Sequence, residues 1–387
     1  MMTILTSQMS LLFFKWGIND SLGQISTWST EKNCCVWEGV YCDNISRRVT
    51  KLESLFNDFD MIRIPSIQHN ITHSSKLVYL DLSYSFVTGM DNLDWLSPLS
   101  SLKYLNLSGI DLHKETNWLQ IVNTLPSLLE LQLSSCNLNN LMINPYIKYL
   151  NLSSIVTLDL SLNNFTSHLP DRFFNLTYLT FHRKSRYLDL FHNQLQGSVP
   201  EEIGQLARIY SFNSRNLSSL IYLSIGSNNF SGEISNLHFS KLSSLVVPPF
   251  RLTYLSLRNT NQGPNFPSWI YTQKSLQHLD ISSLGISLVD RNKFSSLIER
   301  IPSEIILSNN WIAEDISNLT LNCSYIRLDH NNFTGGLPNI SWKNLKELTF
   351  LNLWSNRLSG EVSLNLSIWK QLKVHIKLSF LLPCFRC

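Results

Sequence analysis

Apolar residues recur along most of this chain in one fixed phrase, Leu-x-x-Leu-x-Leu, with polar residues between them. Leu77, Leu80 and Leu82 carry the first full copy. It returns at Leu102/Leu105/Leu107, Leu128/Leu131/Leu133, Ile155/Leu158/Leu160, Leu220/Leu223/Ile225, Leu252/Leu255/Leu257, Leu276/Leu279/Ile281 and Leu348/Leu351/Leu353. Weaker copies centre on Leu188, Ile305 and Ile326, and Val49/Leu52 forms an irregular first one. Successive copies lie about 27 residues apart, a period that marks a stacked repeat. Leu80 and Leu82 alternate with Asp81 and Ser83, the period-two signature of a short strand with one buried face. The leucines are therefore predicted to point inward and Tyr79, Asp81 and Ser83 outward. Strands stacked in parallel make one long sheet with a concave outer face, and the connecting segments form the convex side. Between the Leu188 and Leu223 strands the spacing is long, at about 35 residues against the repeat norm, with Arg208 to Arg215 reading as a small insertion or a mis-spliced join.

Two polar signatures follow the strand. Three residues after its second leucine stand Asn163, Asn193, Asn228, Asn310, Asn331 and Asn356. A buried amide there is expected to donate to carbonyls of the neighbouring turn and accept from its own backbone, each bond netting about 1 kcal/mol. Ser85, Ile110, Thr260 and Leu284 replace it, so their turns are expected to be less regular. Cys136 replaces it too and reads as a core thiol. Further on, Leu195-Gln-Gly-Ser-Val-Pro200, Phe333-Thr-Gly-Gly-Leu-Pro338 and Leu358-Ser-Gly-Glu-Val362 combine a glycine for the tight turn with, in two of them, a proline that fixes φ. This L-x-G-x-[IVL]-P phrase resembles that of plant-type leucine-rich repeats. The fold class expected is an α/β repeat solenoid, a horseshoe or superhelix with a parallel concave sheet.

Composition adds an extracellular tone. Charged residues are 15% and the net charge is +3, with no basic stripe, which excludes nucleic acid as a partner. Fourteen N-x-S/T sequons occur, and Asn44, Asn70, Asn106, Asn164, Asn175, Asn229, Asn318 and Asn332 are taken as glycosylation candidates. The seven cysteines include a cluster at Cys34, Cys35 and Cys42, the pattern of an extracellular disulfide cap. No nucleophile motif, phosphate loop or kinase signature is present, so neither catalysis nor a cofactor is expected. Cys384-x-x-Cys387 lacks a second ligand pair, so no metal site is expected either.

The start of the chain now acquires meaning. Ser10-Leu-Leu-Phe-Phe-Lys15, Ser26-Thr-Trp28 and Cys34-Cys-Val-Trp37-Glu-Gly-Val-Tyr-Cys42 resemble the N-terminal cap of plant extracellular leucine-rich repeat proteins. Leu93-Asp-Trp95, Trp118-Leu-Gln with Cys136-Asn-Leu, and Gly263-Pro-Asn-Phe-Pro-Ser-Trp269 are similar to plant receptor-like proteins of the fungal-xylanase (ethylene-inducing xylanase) receptor class. The resemblance runs over roughly residues 10 to 365 and divides the chain, by repeat counting, into a cap (1–45), about twelve repeats (46–366) and an off-pattern tail (367–387). It implies a Cys35–Cys42 disulfide worth about 2–3 kcal/mol. It also implies an ectodomain at the plasma membrane that perceives a proteinaceous or carbohydrate elicitor and signals through a partner receptor kinase. The family's upstream cap cysteine, signal peptide, further repeats and membrane span are not recognisable, so Cys34 has no evident partner and the chain reads as truncated.

Candidate contact residues lie on the concave face. One column is aromatic: Tyr79, Tyr104, Tyr187, Tyr222, Tyr254 and Tyr325, continued by His278 and Phe350. Exposed aromatics anchor peptides or sugars well, although the same column also serves as a spacer that packs on itself. Phe191, His192, Arg258, Arg327, His330 and Trp354 break the repeat consensus and are the more diagnostic candidates. Trp95, Trp118 and Trp269 fall in connecting segments and are expected to pack inside. Two other readings share the fold: a soluble inhibitor of microbial enzymes similar to polygalacturonase-inhibiting proteins, and a degenerate fragment whose last strand exposes an apolar end.

Overall fold

The computed structural model describes residues 8, 11–12, 26–53, 76–84, 90–139, 154–168, 186–200, 203, 220–234, 251–336, 339–340, 348–359 and 375–377. The chain divides into two units, Met1–Leu195 and Gln196–Cys387. The division falls within the segment where the sequence repeat lengthens. Both units have the leucine-rich repeat fold.

In the first unit an antiparallel pair, Val40–Cys42 with Val49–Leu52, opens the sheet. Parallel strands follow at Tyr79–Asp81, Tyr104–Asn106, Glu130–Gln132, Thr157–Asp159 and Arg186–Asp189. Each pairs with the next so that Leu80, Leu105, Leu131, Leu158 and Leu188 stand side by side. In the second unit the parallel strands are Leu220–Ser224, Tyr254–Ser256, His278–Asp280, Glu304–Ile306, Tyr325–Arg327 and Phe350–Asn352. The central leucines and isoleucines align in the same way, and both leucine positions of the strands are buried. His375–Lys377, inside the tail expected to be off pattern, pairs in parallel with Phe350–Asn352. A further strand therefore follows the last recognised repeat, unlike the bare apolar end that the alternative reading as a degenerate fragment supposed.

The turn after each strand is more uniform than the sequence suggests. Two residues past the second leucine the backbone is left-handed at Tyr84, Ser135, Leu162, His192, Ser227, Asn259, Ser283, Asn309, His330 and Ser355, and at Gly109. This conformation turns the residue's N–H toward the next repeat, where it meets a carbonyl. Gly109 N donates to Ser134 O at 2.8 Å, Ser283 N to Ser308 O at 2.9 Å and His330 N to Trp354 O at 2.9 Å. The ladder thus continues past the strand whatever side chain stands one residue later. The expectation of less regular turns at Ile110, Thr260 and Leu284 is corrected: Gly109, Asn259 and Ser283 keep the left-handed geometry there. Thr260 Oγ1 also donates to Leu257 O at 2.7 Å, in place of the amide.

Where the amide is present, its partners differ in part from those expected. Asn310 Nδ2 donates to Ile281 O of the preceding repeat and Leu307 O of its own, both at 2.9 Å. Its Oδ1 accepts from Leu284 N and Ile286 N, both at 3.1 Å, which belong to the preceding repeat and not to its own backbone. Asn163 does the same with Cys136 N and Leu138 N. The amides of Asn163, Asn193, Asn310, Asn331 and Asn356 therefore each bolt two repeats together. Cys136 is a buried core thiol whose Sγ lies 3.2 Å from Leu107 O, and burial pushes it up to about 12.

Connecting segments carry short helices, among them Trp118–Asn123 and Arg291–Arg300. The second begins at Asp290, whose side chain accepts from Lys293 N. Trp95, Trp118 and Trp269 are all buried, and Trp269 Nε1 donates to Ile234 O at 3.0 Å. In the cap, Cys35 and Cys42 form the disulfide. Trp28 stacks on Trp37 with ring centroids 5.2 Å apart. Cys34 is buried and free.

Candidate ligand-binding face of the sheet

Strand register brings the outward residues into columns. Tyr79 faces Tyr104, and the two rings stack at 4.0 Å with 6° between planes. Tyr222 and Tyr254 stack at 4.1 Å and 9°, and Tyr325 and Phe350 at 4.7 Å and 14°. These separations are close to the ~4.8 Å between strands, so each ring lies flat on the next repeat's ring. Ring faces are consumed by neighbours, and the edges and hydroxyls are what remain to present outward. The column therefore packs on itself at these three pairs, as a spacer does. Tyr187 stands beside Thr157 and places its hydroxyl 3.5 Å from Asp189.

The next outward column is Asp81, Asn106, Gln132, Asp159 and Asp189 in the first unit, and Ser224, Ser256, Asp280, Ile306, Arg327 and Asn352 in the second. Its acids have a local task. Asp81 Oδ1 accepts from Ser83 N at 2.9 Å and Oγ at 2.7 Å, and Asp159 and Asp280 repeat this with Ser161 and Ser282. One carboxylate oxygen closes the end of the strand; the other oxygen of Asp81 accepts from the Tyr104 hydroxyl and Asn106 Nδ2, both at 3.4 Å. The Asp-x-Ser spacing announced this turn, but sequence reasoning did not use it.

The consensus-breaking residues fall into separate places. Phe191 and His192 contact each other at 5.8 Å in the first unit, with His192 at the left-handed turn position. In the second unit the structure gathers Arg327, His330 and Trp354 around an acid that sequence reasoning had not chosen, Asp329. Arg327 Nε lies 3.4 Å from Asp329 Oδ1, His330 Nδ1 3.0 Å from Oδ2, and Ser308 Oγ donates to Oδ1 at 2.8 Å. The His330 and Trp354 rings meet edge to face at 4.8 Å and 79°. Burial pushes the Asp329 carboxyl up, but the bonds from His330 and Ser308 and the charge of Arg327 outweigh it and hold the group below its ordinary value. Trp354 stays 49% exposed, which leaves it able to meet another molecule. The Arg258 side chain is exposed and forms no bond or ion pair among the described residues. Its charge and that of Arg327 act on Asp280, whose carboxyl burial nevertheless pushes up. Gly226 sits against the Arg258 backbone, where a Cβ would come within 2.6 Å of Arg258 O. Beside them His278 Nδ1 lies 3.3 Å from Glu304 Oε2.

The sequons sort by exposure. Asn44, Asn164, Asn229 and Asn318 are exposed and Asn332 is half-buried. Asn106 is corrected: it is a strand residue, 7% exposed, and its Oδ1 accepts from Ser108 N, so its amide is not presented to a glycosylating enzyme. Asn70 and Asn175 lie outside the described residues.

Comparison with known proteins agrees with this architecture. The model of the leucine rich repeat N-terminal domain matches residues 9–43, and that of the leucine rich repeat matches residues 154–176 and 185–206. The chain is similar to receptor-like protein EIX2 of Solanum lycopersicum, at 25% identity over 92% of this chain and 57% of that protein. It is similar to receptor-like protein 41 of Arabidopsis thaliana, at 30% identity over 84% of this chain and 42% of that protein. The chain spans about half the length of these relatives. Among solved structures it resembles a TDR receptor, with a TM-score of 0.55 at 21% identity over 81% of this chain and 53% of that one. It also resembles the plant peptide hormone receptor RGFR1 in complex with RGF2, with a TM-score of 0.51 at 19% identity over 82% of this chain and 53% of that one. At such identities the likeness is one of fold.

Proposed function

Taking as premise that this chain is a plant-type leucine-rich repeat protein related to the receptor-like proteins, we propose that it recognises an extracellular elicitor on the outward face of its sheet. The cluster of Arg327, Asp329, His330 and Trp354 carries the reading. It places an exposed indole beside charged groups that are already oriented by hydrogen bonds, and such preorganised aromatic and arginine anchors dominate binding. The disulfide cap and the exposed sequons fit a secretory route to the cell surface. Among the described residues no helix is long and apolar enough to cross a membrane. In this reading signalling belongs to a partner receptor kinase, with this chain supplying recognition.

The test uses the secreted full chain, immobilised, with a purified fungal xylanase in solution. Arg258→Ala and Trp354→Ala are each expected to weaken binding at least about tenfold, the usual effect of losing a central anchor. Unchanged affinity in both would remove these residues from the recognition surface.

A further inference from the structure

Carboxylates accumulate on the outward columns of the first unit. Asp81, Glu130, Asp159 and Asp189 stand on the strands from Leu80 to Leu188, and the column positions of those strands hold no lysine or arginine. Asp159 and Asp189 are direct neighbours in register. The turns use one oxygen of Asp81, of Asp159 and of Asp189, the last met by Phe191 N at 2.9 Å. The second oxygen of Asp81 accepts from Tyr104 and Asn106, and that of Asp189, which is buried, from the Tyr187 hydroxyl, so Glu130 and Asp159 are the acids left toward a partner. The second oxygen of Asp159 has no partner among the described residues. The nearest cations by sequence, Lys103 and Arg186, each sit one residue before the column, and Arg186 is buried. Groups nearby register the field. Burial pushes the Tyr79 and Tyr104 hydroxyls up, and Asp81 adds to both.

The chain itself shows what this surface accepts. At the first strand Lys51 Nζ lies over the Tyr79 ring, 4.6 Å from its centroid, and over Tyr41 at 4.9 Å. It also pairs with Glu53 at 2.9 Å. An ammonium is thus held between an aromatic face and a carboxylate, with Lys51 in register with Tyr79 on the same sheet. Further along, the same two kinds of group are present without the lysine.

We propose that the sheet face of the first unit, from the Leu80 to the Leu188 strand, docks an extended cationic segment of a protein partner. Lysine or arginine side chains of that segment enter beside Glu130, Asp159 and Tyr187 as Lys51 enters beside Glu53 and Tyr79. The inference rests on the reading of the sheet as a recognition surface and gives one part of it a chemical class of partner. Such docking is steered by charge and weakens as salt rises.

The test measures fluorescence anisotropy of a labelled peptide of alternating lysine and glycine on the full chain, with a glutamate–glycine peptide as control. The lysine peptide is expected to bind at low ionic strength and to be released by added salt. The double variant Glu130→Gln/Asp159→Asn is expected to weaken it at least about tenfold. Both substitutions keep shape and one acceptor oxygen, which is all the Ser161 turn requires of Asp159, and circular dichroism checks that the variant is folded. Equal binding of both peptides, or affinity unchanged in the double variant, overturns the inference. If binding survives the double variant but falls in Arg327→Ala/Trp354→Ala, the sheet still recognises a ligand and only the acidic docking face is lost. If it survives all four substitutions, the recognition reading falls with it.

Discussion

From the Leu80 to the Leu188 strand the first unit sets Asp81, Glu130, Asp159 and Asp189 outward, with tyrosines and no arginine in the columns. In the second unit Arg258 and Arg327 stand among Asp280, Glu304 and Asp329, with two histidines and an exposed tryptophan. Beneath these surfaces the strand register, the buried leucines and the left-handed turn are the same. The contrast teaches that the repeat assigns its residues to two independent tasks. Inward positions and one backbone dihedral hold the solenoid, so outward positions are released to differ in charge and shape. Inwardly the units also follow one plan. Each has two successive repeats without the amide, at Ile110 and Cys136 in the first and Thr260 and Leu284 in the second, followed by repeats tied by Asn163 and Asn193 or by Asn310, Asn331 and Asn356.

The sharpest way to break this comparison is to cut an amide tie. Asn310→Ala leaves Leu284 N, Ile286 N and Ile281 O without partners in a buried site, while Leu307 O keeps its bond from Asn331 Nδ2. The expected loss is about 3 kcal/mol or more. Hydrogen exchange should show it as faster exchange in the second unit with the first unchanged, and slow exchange retained around Leu279 would contradict the bolting role. Asp329→Asn comes next, at about 1–2 kcal/mol, because it weakens charge-assisted bonds from His330, Ser308 and Arg327. The folded state lowers this carboxyl, so its contribution is complete above the unfolded value of about 3.9 and is lost as pH falls through the lower folded value. Denaturation midpoints of wild type and variant should therefore converge in acid. Cys136→Ala should cost about 1 kcal/mol, since two weak thiol contacts, to Leu107 O and Ser134 O, and a small volume are lost. A loss as large as that of Asn310→Ala would show that the thiol ties repeats as an amide does. Smallest is Asp280→Asn, below about 1 kcal/mol and stabilising at neutral pH. Burial raises this carboxyl, so ionisation weakens the fold; the penalty is absent below about 3.9 and complete above the raised folded value.

Much of this was legible in the sequence because periodicity reports directly on burial. Leu80 and Leu82, or Leu279 and Ile281, could face only inward, and the column assignment of Tyr79 or Arg327 follows from counting in twos. The Cys35–Cys42 bridge came from likeness to a known cap and is present as expected. What escaped depended on relations between repeats. The asparagine pattern was visible, but the N–H groups that Asn310 accepts from lie 26 and 24 residues away. Nothing in Ile110 or Leu284 announces that the preceding residue keeps a left-handed backbone. Asp329 looked ordinary because its importance comes from Ser308 of the previous repeat and from Arg327 and His330 at its sides. Asn106 read as a glycan acceptor because a sequon carries no information about which way a strand residue is enclosed. The strand at His375–Lys377 keeps only the Ile376-x-Leu378 part of the phrase, with Lys373 in place of its first leucine, and its place beside Phe350–Asn352 is set by backbone pairing.

The left-handed residue after each strand has a bearing on how such chains change over time. Because the joint between repeats is made by a main-chain angle and an N–H, it is indifferent to which side chain stands there: tyrosine, serine, leucine, histidine and asparagine all serve. A repeat can then be duplicated, deleted or exchanged at that joint without renegotiating its neighbours. Tolerance of this kind costs something, since each non-glycine residue held there carries about 1–2 kcal/mol of backbone strain. The return is a scaffold in which new recognition surfaces can be assembled from existing cassettes.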